Sequence, residues 1–289
     1  MSDFFQLAVA GLSQGAIYAL LAMGFAAIFS VSQIINLAQG EFAAMAGLVA
    51  LSAVGAGLPL PVAMLIALLS VGLVAVAMQR LTIAPVKRMT TLTSIILTLG
   101  VSTALKAMLL LIYGPEGRGL PALPGSNIVV SGVSIRAQDL WILGVTLVVA
   151  GAVIFFYDRT MLGKALRACA EQPVASRLVG IPPSRATAIA FLIAGLLGAI
   201  AGLLASPISL TQWDSGLTLG LKGFVAATLG GLVSIRAAVF GGLVLGVLEA
   251  LVAGYIDSGY RDAVAFVVLI VVLVARPGGV FARTARAAV

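Results

Sequence analysis

The sequence predicts an all-α polytopic membrane protein of about eight to nine transmembrane helices, with an amphipathic helix on its cytoplasmic side. Three observations lead there. The 289 residues are 61% hydrophobic and 9% charged, against roughly 45–50% and about 25% in soluble domains. Apolar runs of about 20 residues recur along the whole length, which is the length a helix needs to cross a hydrocarbon core. The strict alternation of a transmembrane barrel is absent, and helices are the remaining way to satisfy backbone polar groups in lipid.

Taken in order, spans are expected over residues 5–31, 36–56, 61–79, 92–113, 140–157, 186–206, 217–233, 237–255 and 263–275. The first lacks a basic segment before it and runs on past the length of a signal peptide, so it is expected to stay in the mature chain. The second and seventh are rich in Gly and carry polar residues, and admit a broken or re-entrant course. Between the fourth and fifth, residues 114–139 form an external loop. Pro115, Pro121 and Pro124 are followed there by the alternation Ile128, Val130, Val133, Ile135, which predicts a short hairpin or lid.

Between the fifth and sixth spans, residues 158–185 hold Arg159, Lys164, Arg167, Arg177 and Arg185, five of the 17 Lys and Arg residues. Residues 160–171 fit an amphipathic helix with Leu162, Leu166 and Cys169 on one face and Lys164, Arg167 and Glu171 on the other. Pro173 ends it. The chain then turns back through Ser176, Gly180, Ile181, Pro182 and Pro183, with Ser184 as a cap for the next span. A membrane protein that exposes such a helix offers a soluble partner something to hold.

Arg80, Lys87 and Arg88, the 158–185 loop, Arg236, and Arg276, Arg283 and Arg286 in the 276–289 tail all fall on one side of a nine-span chain. That side is read as cytoplasmic, with the N-terminus outside. A re-entrant second span would move only the N-terminus. The net charge of +7 is therefore read as topology, with lipid and not nucleic acid as the surrounding partner. The whole chain, 1–289, reads as one transmembrane domain.

The absence of His and the single cysteine, Cys169, exclude an internal disulfide, a Cys/His metal cluster and His-dependent hydrolases. Cys169 lies on the apolar face of the surface helix, where packing accounts for it. No G-x-x-x-x-G-K-[ST] occurs, so no nucleotide is expected to bind by that route. The chain is thus not read as an enzyme and is assigned no cofactor or metal of its own.

Polar residues within spans are the candidate site. Asn36, Gln39, Gly40 and Glu41 open the second span. Glu41 is either solvated at headgroup depth or lines a pathway at a helix break, where free N–H groups suit a carboxylate. Lys106 can snorkel to the outer headgroups. Lys222 is a further charge near a span, and Glu249 is deeper and expected to face helices. Gly11 and Gly15, Gly198 and Gly202, and Gly242 and Gly246 have the spacing that lets helices pack closely.

Together, Gly15 to Leu20 (Gly-Ala-Ile-Tyr-Ala-Leu), Asn36 to Phe42 (Asn-Leu-Ala-Gln-Gly-Glu-Phe), Gly163 to Ala168 (Gly-Lys-Ala-Leu-Arg-Ala) with Ala175 and Gly180-Ile181, Lys222-Gly223-Phe224 before Gly230-Gly231-Leu232, and Arg276-Pro277-Gly278-Gly279 resemble the permease subunits of branched-chain amino acid ABC importers, the LivH-like group. The order and spacing of these segments over nearly the whole chain carry the resemblance. It departs at Gln39, where that family often has His, and at Gln79, where an acidic residue often precedes the arginine. The resemblance implies a permease in the bacterial cytoplasmic (inner) membrane, paired with a second permease chain or with itself. It also implies two cytoplasmic ATPase subunits that use ATP and Mg, and a periplasmic solute-binding protein. The 158–185 loop then resembles the segment that docks on an ATPase, with Leu162, Gly163, Lys164, Leu166, Arg167, Ala168 and Glu171 as the coupling residues. Relatives of this group also carry urea, short amides or aromatic carboxylates. An ion-coupled secondary transporter would use a broken helix and an intramembrane carboxylate equally well.

Overall fold

A computed structural model describes residues 2–86, 89–130 and 133–276. Lys87 and Arg88 of the third loop, and the tail with Arg283, Arg286 and Pro277-Gly278-Gly279, lie outside the described residues.

The architecture is helical apart from one two-stranded hairpin. In chain order the helices are α1 (Ser2–Ser32), α2 (Gln39–Gly55), α3 (Leu60–Met78), α4 (Thr91–Tyr113), α5 (Ala137–Arg159), α6 (Met161–Glu171), α7 (Pro173–Leu178), α8 (Pro183–Ala205), α9 (Ser215–Gly230), α10 (Ile235–Tyr255) and α11 (Arg261–Ala275). A π-helical turn, Gln79–Ile83, extends α3, and a 3₁₀ turn, Ser258–Tyr260, leads into α11. Among the described residues, seven helical stretches, those of α1, α3, α4, α5, α8, α10 and α11, are long and apolar enough to cross a membrane. The two expected spans of ambiguous course are short, with 17 residues in α2 and 16 in α9, whereas the 15 residues of α11 are lengthened to 18 by the 3₁₀ turn. At 1.5 Å per residue each is about 25 Å long, less than a full hydrocarbon core of roughly 30 Å.

Two groups of loops define opposite faces. On the basic face, Asp158 pairs with both Arg167 and Arg236, and the Gln79 side-chain amide donates to the Ser184 carbonyl at 3.4 Å. On the other face, Arg118 and Thr211 exchange backbone hydrogen bonds at 3.0 and 2.8 Å. The predicted hairpin is there too, as β1 (Ile128–Val130) antiparallel to β2 (Val133–Ile135), with Ile128 opposite Ile135. Strand β2 lies against α1.

The chain is built as two inverted halves. In α1–α4 and again in α8–α11, a long helix is followed by a non-helical segment, a short helix and two spanning helices, the last of which, α11, reaches 18 residues together with its 3₁₀ turn. Packing repeats accordingly: α1 lies on α10 as α8 lies on α3, α2 lies on α8 as α9 lies on α1, and the short helices α2 and α9 meet each other. Because α1 ends on the basic face where α8 begins, the halves run in opposite directions, the arrangement of inverted-repeat transporters.

Small residues make the α1–α10 seam. A Cβ at Gly15 would come 2.8 Å from the Gly242 carbonyl oxygen, and one at Gly246 would come 2.3 Å from Gly15 Cα. Gly11 faces the same helix at Val247 and Ala250, while Gly198 and Gly202 take Phe42 and Ala43 of α2. Tyr18, Ile17, Leu20 and Leu21 of α1 fill the interior between these contacts.

Candidate functional site

Helix α1 ends at Gln33, whose φ of 56° is left-handed and stops the helical run. Residues 34–38 then return outside the helical pattern, so that Gln39 sits beside Gly24, 8 residues before the α1 terminus at Ser32. That is about 12 Å back along the helix. Helix α2 therefore starts inside the molecule, and its backbone needs polar partners there. Helix α4 supplies them. The Thr98 hydroxyl accepts from the Leu37 N–H at 3.2 Å and lies 3.1 Å from the Ile35 carbonyl. Asn36 Oδ1 accepts from Ala38 N–H at 3.1 Å.

Glu41 is 1% exposed. Ser102 Oγ donates to its Oε1 at 2.9 Å, and Lys106 Nζ is 3.9 Å from the same oxygen. The headgroup-solvated reading of Glu41 and the snorkelling reading of Lys106 are both replaced: the two charges face each other between α2 and α4. Gln39 is fully buried and donates from Nε2 to the Ala194 carbonyl at 2.8 Å. Three buried atoms here have no hydrogen-bond partner: Asn36 Nδ2, Gln39 Oε1 and Glu41 Oε2. On the other side Gly40 crosses α9 so closely that a Cβ would fall 1.9 Å from the Gly216 carbonyl oxygen and 2.6 Å from Gly220 N. The starts of the two short helices thus meet beside Glu41. Thr98, Ser102 and Lys106 were not combined in the sequence reading, although their i, i+4, i+8 spacing is a polar stripe on one helix face.

A second buried cluster lies across α9. Glu249, fully buried as expected for a residue facing helices, accepts from Tyr18 OH at 2.7 Å and from Lys222 Nζ at 3.2 Å. Lys222 also pairs with Asp262 at 2.7 Å and stands 5.6 Å over the Tyr18 ring, while Arg261 Nε is 3.5 Å from Glu249. Lys222 and Asp262 border a cavity of about 360 Å³ that extends to Asp214 and opens at the face away from Arg236. Glu249 is thereby separated from Asn36, Gln39, Gly40 and Glu41, with which the sequence reading had grouped it.

The third site is the surface segment. Thr160 caps α6 by accepting from the Gly163 N–H at 3.0 Å. The buried arc of α6 is Gly163, Leu166 and Cys169, whereas Leu162, expected on that face, is 55% exposed. The cause is Gly163, where a Cβ would meet the Phe156 carbonyl oxygen at 2.2 Å; the backbone of α6 lies directly on the last turn of α5. Lys164, Ala168 and Glu171 are exposed. Arg167, expected on the free polar face, is turned back onto Asp158 and the Tyr157 carbonyl. The expected turn after Pro173 contains a further helix, α7, with Pro173 in its first turn. Ser184 lies inside α8, where Pro182 takes the cap position, because Pro183 is preorganised for a first helical turn. Met161, Leu162, Val174, Leu178 and Val179 form an exposed apolar margin along α6 and α7.

A multi-pass helical protein with inverted halves, a helix break inside the bundle and buried charges at that break has the build of a membrane transport protein. Residues 7–273 match the family model described as the branched-chain amino acid transport system permease component, and the chain belongs to that family. It is 32% identical to the high-affinity branched-chain amino acid transport system permease protein BraD of Pseudomonas aeruginosa, over 97% of this chain and 96% of BraD. The identity and coverage are the same for LivH of Escherichia coli K12, which has the same description. The autoinducer 2 import system permease protein LsrC of an Enterobacter species is 29% identical over 88% of this chain and 74% of LsrC. The chain is a multi-pass inner-membrane permease component.

Proposed function

We propose that this chain is the membrane-spanning subunit of an ATP-driven importer whose solute is a branched-chain amino acid. The observation that carries the mechanism is the break before α2, which brings the starts of two short helices together beside buried Glu41; family membership and the relatives' descriptions support the solute. The basic face is cytoplasmic by the distribution of Lys and Arg. The exposed margin of α6 and α7, with Lys164, Ala168 and Glu171, is where an ATPase subunit docks, and ATP and Mg are used on that partner. Leu166 and Gly163 fix α6 to α5 from beneath, so that a push on α6 reaches the bundle.

In this reading two ATPases, a second permease chain and a periplasmic binding protein complete the machine. Asn36, Gln39, Gly40 and Glu41 form the pathway element, and closure of the ATPases shifts α2 against α9 at the Gly40–Gly216 crossing. The single permease domain of 1–289 contributes no nucleotide chemistry. Purification of the tagged chain in mild detergent followed by mass spectrometry is the test. Stoichiometric recovery of Walker-motif ATPases is expected; recovery of the chain alone in several detergents contradicts the proposal.

A further inference from the structure

We propose that the Lys222–Glu249–Arg261–Asp262 cluster is a recognition site for the zwitterionic head of a free α-amino acid entering from the periplasmic side. The proposal rests on the importer reading above and specifies a second site, across α9 from Glu41. Its residues come from four helices: Tyr18 on α1, Lys222 on α9, Glu249 on α10, and Arg261 and Asp262 on α11. The cavity is lined by two cations, Lys222 and Arg261, and two carboxylates, Asp214 and Asp262, with Glu249 buried behind Lys222, so its balanced wall favours a ligand that is itself neutral overall but carries both signs.

The cluster is closed in charge yet under-bonded. Arg261 Nε, 3.5 Å from Glu249 Oε2, and Asp214 Oδ1 are both buried without a hydrogen-bond partner, and a buried charged group without full hydrogen bonding is costly. A carboxylate placed against Arg261 and Lys222, with an ammonium against Asp214 and Asp262, all four of which line the cavity, would satisfy both atoms at once. A solute lacking either charge would satisfy only one. The cavity of about 360 Å³ beside Lys222 is within the size range of small-molecule sites. Leu219, packed among the apolar residues of α1 and α10, and Ile208 line the same cavity and provide apolar surface for an aliphatic side chain.

The test uses the intact permease–ATPase complex in detergent, without binding protein, and follows thermal unfolding with millimolar leucine, leucinamide or 4-methylpentanoate. Leucine is expected to raise the midpoint saturably by about 2–4 °C. Leucinamide, which lacks the carboxylate, and 4-methylpentanoate, which lacks the ammonium, are expected to give no shift. Arg261→Met and Asp262→Asn, at the more exposed end of the cluster, should abolish the leucine shift while leaving the ligand-free midpoint near that of the parent. Equal shifts with all three compounds, or retention of the leucine shift in both variants, overturn the assignment. ATP-driven leucine uptake by the complete transporter is measured in parallel. Uptake without any leucine shift overturns this site and leaves the importer reading standing, whereas absence of uptake in the complete transporter counts against the importer reading itself.

Discussion

Glu41 is held by one hydroxyl and one ammonium while its other oxygen lacks a hydrogen bond. An intramembrane carboxylate that is incompletely paired is expensive for structure alone. Glu41→Gln keeps the shape and the Ser102 contact and removes the charge. Uptake is therefore expected to fall at least about tenfold, the effect of roughly 1.4 kcal/mol, with membrane abundance near that of the parent; parallel loss of both would assign Glu41 to folding. Gly40 gives the opposite signature. A methyl group there would overlap the α9 backbone, and forced overpacking costs about 1–3 kcal/mol, so Gly40→Ala should lower the unfolding midpoint and the yield together. Asp158 joins α6 to α10 through Arg167 and Arg236. Asp158→Asn is expected to leave ATPase docking intact while reducing transport per ATP hydrolysed, which a coupled uptake and phosphate-release assay would read.

Helix α6 was legible from sequence because it is the one strongly amphipathic segment, with a Thr cap and a charged outer face. Its inner face was misjudged by one position, since pattern alone does not reveal that Gly163 lets two backbones touch. The long spans were equally legible, as length and hydropathy suffice for them. The starts of α2 and α9 were not. The position of α2 depends on a non-helical return segment whose backbone is satisfied by Thr98 on a helix more than 60 residues away in sequence, and that of α9 on its close crossing with Gly40. Pairings such as Tyr18 with Glu249 and Lys222 with Asp262 are likewise tertiary, and apolar surroundings hide them from local pattern. The docking surface predicts its own test: Lys164→Glu together with Leu178→Glu should release the ATPase on purification without reducing insertion. Full retention of the ATPase by that double variant would remove the role given to α6 and α7.

The inverted halves relate the two buried charge sites. Each short helix carries a charged residue paired to an opposite charge on the last helix of its own half: Glu41 with Lys106, and Lys222 with Asp262. A motion of α2 against α9 therefore loads both pairs, which suits a transporter that must open alternately to two sides. The topology is checked with single cysteines in a Cys169→Ser background: Gln212→Cys should react with an impermeant thiol reagent from outside and Lys164→Cys only from inside. The reverse labelling would invert the assigned orientation. The most direct measurement is leucine uptake into proteoliposomes containing this chain, its co-purified ATPases and permease partner, and the binding protein. Uptake that requires internal or external ATP on the ATPase side, persists with a protonophore and fails in Glu41→Gln is the predicted result. Uptake by the chain without ATPases, collapsing when a protonophore is added, would contradict it.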